Sequence, residues 1–364
     1  MRASGFSPST LAATIAAVIC ASSFARERGE EESATFLEEY ADYLFCHLPD
    51  WTITRQGSLL PGVKEHFVRI NPDRNGNLAG GLSVDEAVVE ITNRPHGSQA
   101  SFPASGVVDA GFLELVRYGI LRPDDPMVTT SLCVVDHTLK VDTPFGPCWR
   151  RYNYDGYGQQ EDGKPLLDSG KGRAWPLLTG ERGHYELAAG NDVTSFLEAM
   201  ERFASDTGLL SEQIWDEPDL PHAHMQFGRP TGAAMPLLWA HSEYIKLLRS
   251  ACDGKVFDRI PEVADRYLGK ARNYKPLEIW TFSYRLSSMK KGQILRVYAA
   301  APFRLRWSID EWQTLEDHPS VETSLGIHFA DIETSPTREL ALRFTFFWPA
   351  QDRWEERNFE VLVN

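Results

Sequence analysis

Two stretches of this chain carry residues whose types and spacing could do chemistry. The first runs Gly170-Lys-Gly-Arg173-Ala-Trp175-Pro176-Leu-Leu-Thr-Gly-Glu181-Arg182-Gly-His184 and on to Gly190. The second is Gly208-Leu-Leu-Ser-Glu212-Gln213-Ile-Trp215-Asp216. Both put Arg, Trp and Glu on loops punctuated by Gly or Pro, close to helical patterns. A globular core does not need that mixture. A sugar site does, because indole faces stack on pyranose rings while arginines and carboxylates bond hydroxyls.

The elements that must position these residues are mostly helical. The pattern predicts helices at Pro8–Arg28, Thr35–Leu48, Val108–Tyr118, Pro126–Lys140, Glu181–Ala189, Val193–Asp206 and Gly232–Ala251, with a short one at Pro261–Leu268. Asp125-Pro126 and Asp192-Val193 read as N-cap pairs, Thr231 as the cap of the seventh helix, and Asp253-Gly254 as its stop. The long connection between Trp51 and Asn93 has some strand character, as at His66–Ile70. From Leu277 onward the chain alternates in period two, for example Ile294–Tyr298, Leu340–Phe346 and Phe359–Val363. That predicts a small antiparallel β-sandwich, with the boundary near Lys270–Lys275.

A chain of 364 residues with 42% hydrophobic and 24% charged residues is long enough for two or three domains. Its net charge of −14 argues against a nucleic-acid partner, which requires a basic face. Ten tryptophans suit either large cores or sugar binding. The five cysteines (Cys20, Cys46, Cys133, Cys148 and Cys252) form no C-x-x-C and read as buried thiols. The apolar run Leu11–Ala21 reads as a structural helix rather than a signal peptide. Ser7 is its N-cap, Pro8 its first position, and the run is too short to span a bilayer. The compartment stays open.

Other motifs carry less. His222-Ala-His224 lacks a third ligand, and Asp73-Arg-Asn75-Gly-Asn77 lacks the closing glutamate of an EF-hand, so it reads as a polar turn. No nucleophile elbow, P-loop or dinucleotide fingerprint is present, and nothing asks for a cofactor.

Both chemical stretches resemble glycoside hydrolase family 15, the glucoamylases, and in particular its bacterial glucoamylase and glucodextranase branch. So do Gly5-Phe-Ser-Pro-Ser-Thr-Leu11, Lys140–Gly146, Thr231–His241, Pro302–Ser308 and Arg343–Trp348. The resemblance implies a mainly α protein with appended β: an incomplete (α/α)6 toroid of about seven barrel helices over residues 1–270, then the β domain over 271–364. It implies an exo-acting, inverting α-glucosidase that releases glucose from non-reducing ends of α-glucans. Glu212 would be the general base. Arg173, Trp175, Glu181, Arg182 and Trp215 would line the subsites, unless Glu181 and Arg182 merely brace each other. His184 would at most orient a neighbour.

Inversion also needs a general acid. The family carries it in a Trp-Glu-Glu run just ahead of the Gly-Phe-Ser-Pro segment, a place that falls here on Met1 and Arg2 or before them. No acid stands there, so this chain alone is expected to be inactive, lacking the N-terminal half of its own domain. The alternatives are a non-catalytic fragment, a carbohydrate-binding remnant, or a trehalase-, dextran- or phosphorylase-type relative. Linkage preference is not legible.

Overall fold

The computed structural model describes residues 4–72, 83–269 and 272–364. Within them the chain forms eight α-helices: α1 (Pro8–Glu27), α2 (Glu31–Thr52), α3 (Leu113–Arg117), α4 (Pro126–Leu139), α5 (Pro176–Ala188), α6 (Thr194–Phe203), α7 (Leu238–Asp253) and α8 (Pro261–Tyr267). A series of β-strands follows from Leu277. A helical region and a β region therefore succeed each other along the chain. Contacts divide it into two compact units. Of the described residues, one holds 4–13, 48–72 and 83–269; the other holds 14–47 and 272–364. Asp73–Asn77 lies outside the described residues.

Local chemistry explains most helix ends. Asp125 caps α4, its carboxylate accepting from Met127 N at 2.8 Å and Val128 N at 3.3 Å. Ser7 Oγ accepts from Thr10 N at 3.3 Å at the start of α1. Gly254 closes α7 in the left-handed region, at φ 65°. Three expectations need correction. The Val108–Tyr118 pattern yields only the single turn of α3, its first half being loop. Thr231 caps no helix: it accepts from Ala233 N in a turn, and α7 starts seven residues later at Leu238. The His66–Ile70 strand shrinks to His66–Phe67, paired with Ile53–Thr54.

The first unit's helical core is built around α5, which packs on α3, α6 and α7. Leu177, Ala199, Met200, Phe203, Ala240 and Leu247 are buried at these contacts. Gly180 lets α5 approach closely, since a Cβ there would stand 2.7 Å from Glu243 Cγ and 3.0 Å from Met200 Sδ. The outer side of α7 is different, leaving Leu238, Trp239 and Ile245 well exposed. Helix α1 has the length and apolar composition to cross a bilayer, yet Leu11, Ala12, Ile15, Ala16 and Ile19 are buried as in a core helix.

In the second unit the strands form two sheets. One is four-stranded, ordered Leu277–Trp280, Ile294–Ala299, His328–Glu333, Val321–Glu322. The other is six-stranded and centred on Leu340–Trp348. Leu295, Val297, Ala330 and Ile332 of the first share one core with Leu305, Phe344, Phe346 and Val361 of the second, as in a sandwich. It is not wholly antiparallel: Leu277–Trp280 runs parallel to Ile294–Ala299, and Ser288–Met289 parallel to Phe359–Val363. The α2 segment of this unit lies on the first sheet. Arg296, nearly buried, donates to Asp331 at 2.7 and 2.8 Å and pairs with Glu39 at 2.5 Å. Phe36 packs against Phe329 at 5.4 Å.

The thiols depart from expectation. None of the five forms a disulfide, but only Cys148 is buried; Cys46, Cys133 and Cys252 are exposed and Cys20 is intermediate. Helical periodicity put them on apolar patterns, but those three lie on outward positions.

Gly180→Ala supplies the next prediction. The better helix former would gain about 1 kcal/mol on an open helix. Here overpacking against Glu243 and Met200 reverses the sign, for a net loss of about 1 kcal/mol by urea denaturation. A gain would show that α5 and α7 have room to part.

Candidate active site

Pro176 is the first residue of α5, and a residue before proline is driven into the extended region. Trp175 obeys, with φ −114° and ψ 119°. Its strand, Ala174–Trp175, pairs with Gly146–Arg150, placing Trp175 opposite Trp149. On its other side Ala174 O accepts from Ile214 N at 3.0 Å. The two chemical stretches are thus joined edge to edge. The second is pinned on its far side as well: Glu212 N donates to Ala234 O at 2.8 Å and Trp215 N to Arg229 O at 2.8 Å.

Glu212 stands half-buried at the outcome of this pairing. Tyr157 Oη donates to its carboxylate, 3.3 Å from Oε2. The Tyr157 ring lies 6.4 Å from that of Trp175. The Arg151 guanidinium sits 5.0 Å from the Tyr157 ring and 4.9 Å from the Trp175 ring. Partial burial raises the Glu212 carboxyl above its ordinary value, against the opposing pull of the Tyr157 hydroxyl and the Arg151 charge. Trp175 is 4% exposed, and its indole Nε1 has no protein partner. Gln213 Oε1 is likewise buried and unpartnered. A buried donor without an acceptor is costly unless something else supplies one.

Not every expected residue joins this group. Arg173 is 0% exposed and lies 4.1 Å over the Trp215 ring. It donates to Asp216 Oδ1 at 3.0 Å, to Gln159 O and to Gln160 O. Trp215 is also fully buried, its Nε1 donating to Pro218 O at 2.9 Å. Neither presents a face to a sugar; they are an internal brace. Gly158 belongs to the same packing, since a Cβ there would come 2.3 Å from Lys171 O.

Glu181 and Arg182 do not brace each other, because successive helical residues point about 100° apart. Arg182 donates to Asp136 at 2.6 Å and Glu186 at 2.8 Å. Glu181 has no hydrogen-bond or ion-pair partner among the described residues. Burial, then the nearby Glu243 and Glu114, push its carboxyl up to about 8. His184 is buried with Nδ1 2.9 Å from Glu243 Oε1. Burial works against the charge on Glu243, but His184 and Arg117 more than offset it and hold that carboxyl down at about 2.

Arg151 and Tyr157 were missed by sequence reasoning. They sit in Arg150-Arg-Tyr-Asn-Tyr-Asp-Gly-Tyr157, an Arg- and Tyr-rich loop whose composition was the available signal. His222 lies in a short 3-10 turn and His224 just after it; no group of three metal-binding side chains occurs among the described residues. A groove of about 520 Å³ in the β unit, lined by Phe282, Tyr298, Ile327 and Trp348, includes none of Arg151, Tyr157, Trp175 and Glu212.

The family model for "Glycosyl hydrolases family 15" matches residues 3–249, ending before the series of strands that starts at Leu277. A glucoamylase of Clostridium sp. (strain G0005) is 42% identical over 268 residues, or 73% of this chain and 35% of that protein. A solved bacterial glucoamylase in complex with acarbose superposes with a TM-score of 0.64 at 42% identity, over 72% of this chain and 36% of the other. The chain spans about a third of the length of these relatives.

Two titrations follow. Tyr157→Phe removes a bond that favours ionised Glu212, so the carboxyl midpoint of Glu212, followed by carbon NMR and assigned with Glu212→Gln, should rise; an unchanged midpoint would show the contact absent. For Glu181 the folded-state value lies above the unfolded one. The unfolded chain therefore loses that proton first, and stability falls as pH climbs from about 4.5 to about 8. Glu181→Gln should remove this slope and gain about 1 kcal/mol at pH 8, after discounting for the residue's partial exposure. Parallel stability–pH curves for the two proteins would contradict it.

Proposed function

Since this chain belongs to glycosyl hydrolases family 15, we propose that it carries the general-base half of an inverting, exo-acting α-glucosidase site. Glu212 is the base. In the hydrolysis, water loses its proton to Glu212 as its oxygen attacks the anomeric carbon. The glycosidic oxygen leaves with a proton from an acid on the opposite face. Inversion sets the two carboxyl groups about 6.5–9.5 Å apart, leaving room for the water. The raised affinity of Glu212 for a proton suits a base better than an ordinary exposed carboxylate would. Tyr157 orients it. Trp175 walls the glucosyl subsite and offers its free indole N–H, and Arg151 donates to sugar hydroxyls.

The observation that carries this reading is the meeting of Glu212, Tyr157, Arg151 and Trp175, drawn from three separate parts of the sequence. The helical unit is read as the C-terminal part of an (α/α)6 toroid. The residues gathered around Glu212 are proposed to bind the glucosyl unit of an α-glucan on the side from which water attacks.

Purified Met1–Asn364 should bind maltoheptaose or acarbose calorimetrically, and Trp175→Ala should weaken that binding at least tenfold. Any release of glucose from maltooligosaccharides should be abolished by Glu212→Gln, and activity that survives would remove Glu212 from the role of base. Absence of any binding would favour the non-catalytic reading.

A further inference from the structure

We infer that Asp155 is a positioning residue that sets Arg151 and Tyr157 against Glu212 and acts on the ligand only through them. The inference rests on the reading of Glu212 and Trp175 as a glucan site. The Asp155 side chain is 2% exposed, so its charge must be met from within the protein. Four donors meet it. Arg151 Nε and a terminal guanidinium nitrogen reach Oδ2 at 2.9 and 2.8 Å. Tyr157 N and Asn93 Nδ2 reach Oδ1 at 3.0 and 2.8 Å.

The division between the two oxygens matters. Oδ2 takes Arg151 in a two-nitrogen grip, which fixes the plane of the guanidinium as well as its place. The guanidinium carbon lies 5.0 Å from the centroid of the Tyr157 ring and 4.9 Å from that of the Trp175 ring. Oδ1 holds the backbone of Tyr157, which fixes where the phenol starts and lets Oη reach Glu212. The charge and the hydroxyl that favour ionised Glu212 therefore both hang from one buried carboxylate. The segment is further constrained at Tyr154, which holds φ 66° and stacks on Phe102 at 4.0 Å.

Asp155→Asn separates the two jobs. The amide oxygen still accepts from Tyr157 N, but the NH2 that replaces Oδ2 cannot accept from Arg151. The expected result is maltoheptaose binding about tenfold weaker and a Glu212 carboxyl midpoint shifted upward. Arg151→Met should do the same. The double variant should be no weaker than Arg151→Met by more than twofold, because Asp155 acts on the ligand through Arg151. Independent, multiplying losses would overturn the inference. So would a lower melting temperature with unchanged affinity and an unchanged Glu212 midpoint, the signature of a purely structural role. Should Asp155→Asn fail to fold, Asp155→Glu keeps the charge but displaces Arg151 by one methylene. It should weaken binding in a folded protein, and unchanged binding would count against the inference. Failure of the unaltered chain to bind maltoheptaose would sink the glucan reading alone, since the Glu212 midpoint still reports whether Asp155 governs Arg151.

Discussion

The candidate site depends on a buried carboxylate held between two arginines. Asp216, its side chain 0% exposed, accepts from Arg150 at 2.7 Å and from Arg173 at 3.0 Å. Arg150 and Arg173 come from either end of the loop that carries Arg151 and Tyr157, and Asp216 follows Glu212 by four residues. One ion triad therefore closes the loop and fastens it to the segment bearing the base. Removing one member of such a group leaves a charge stranded in a dry interior, at a cost of roughly 3–5 kcal/mol. Arg173 stacked on Trp215 completes the fastening, which is why both are hidden from any ligand.

Sequence alone made part of this legible. Asp125-Pro126 and Asp253-Gly254 marked ends that the chain honours, whereas the helix expected at Glu181–Ala189 starts five residues earlier, at Pro176, a proline signal that sequence reasoning passed over. The β-strand rhythm after Leu277 was readable because its inward residues are large and regular, as at Leu342, Phe344 and Phe346. Arg173 misled, because an arginine in a sugar-like motif looks the same whether it faces a ligand or a buried aspartate. Tyr157 and Glu212 stand 55 residues apart in the chain, and no periodicity links them. Glu181 and Arg182 illustrate a third failure. Their adjacency suggested a shared task, while helical geometry sends them to different neighbours.

The second unit rests on a comparable arrangement. Arg296, 2% exposed, lies over Phe329 at 4.3 Å while Asp331 and Glu39 neutralise it. Lys275 adds contacts to the same two carboxylates, at 2.8 Å to Asp331 and 3.3 Å to Glu39. Here too the polar group joins stretches remote in sequence, and the apolar sandwich core supplies the bulk of the packing.

The pairing of Glu39 with Arg296 has a consequence for biosynthesis. The α2 segment leaves the ribosome long before the strands it will cover, and at about 5–20 residues per second the wait is on the order of ten seconds or more. Throughout that interval Phe36 has neither Phe329 nor Tyr298 to lie against. A nascent chain of this design therefore carries an uncovered aromatic helix face through much of its synthesis, the kind of transient apolar surface that favours aggregation until the last strands emerge.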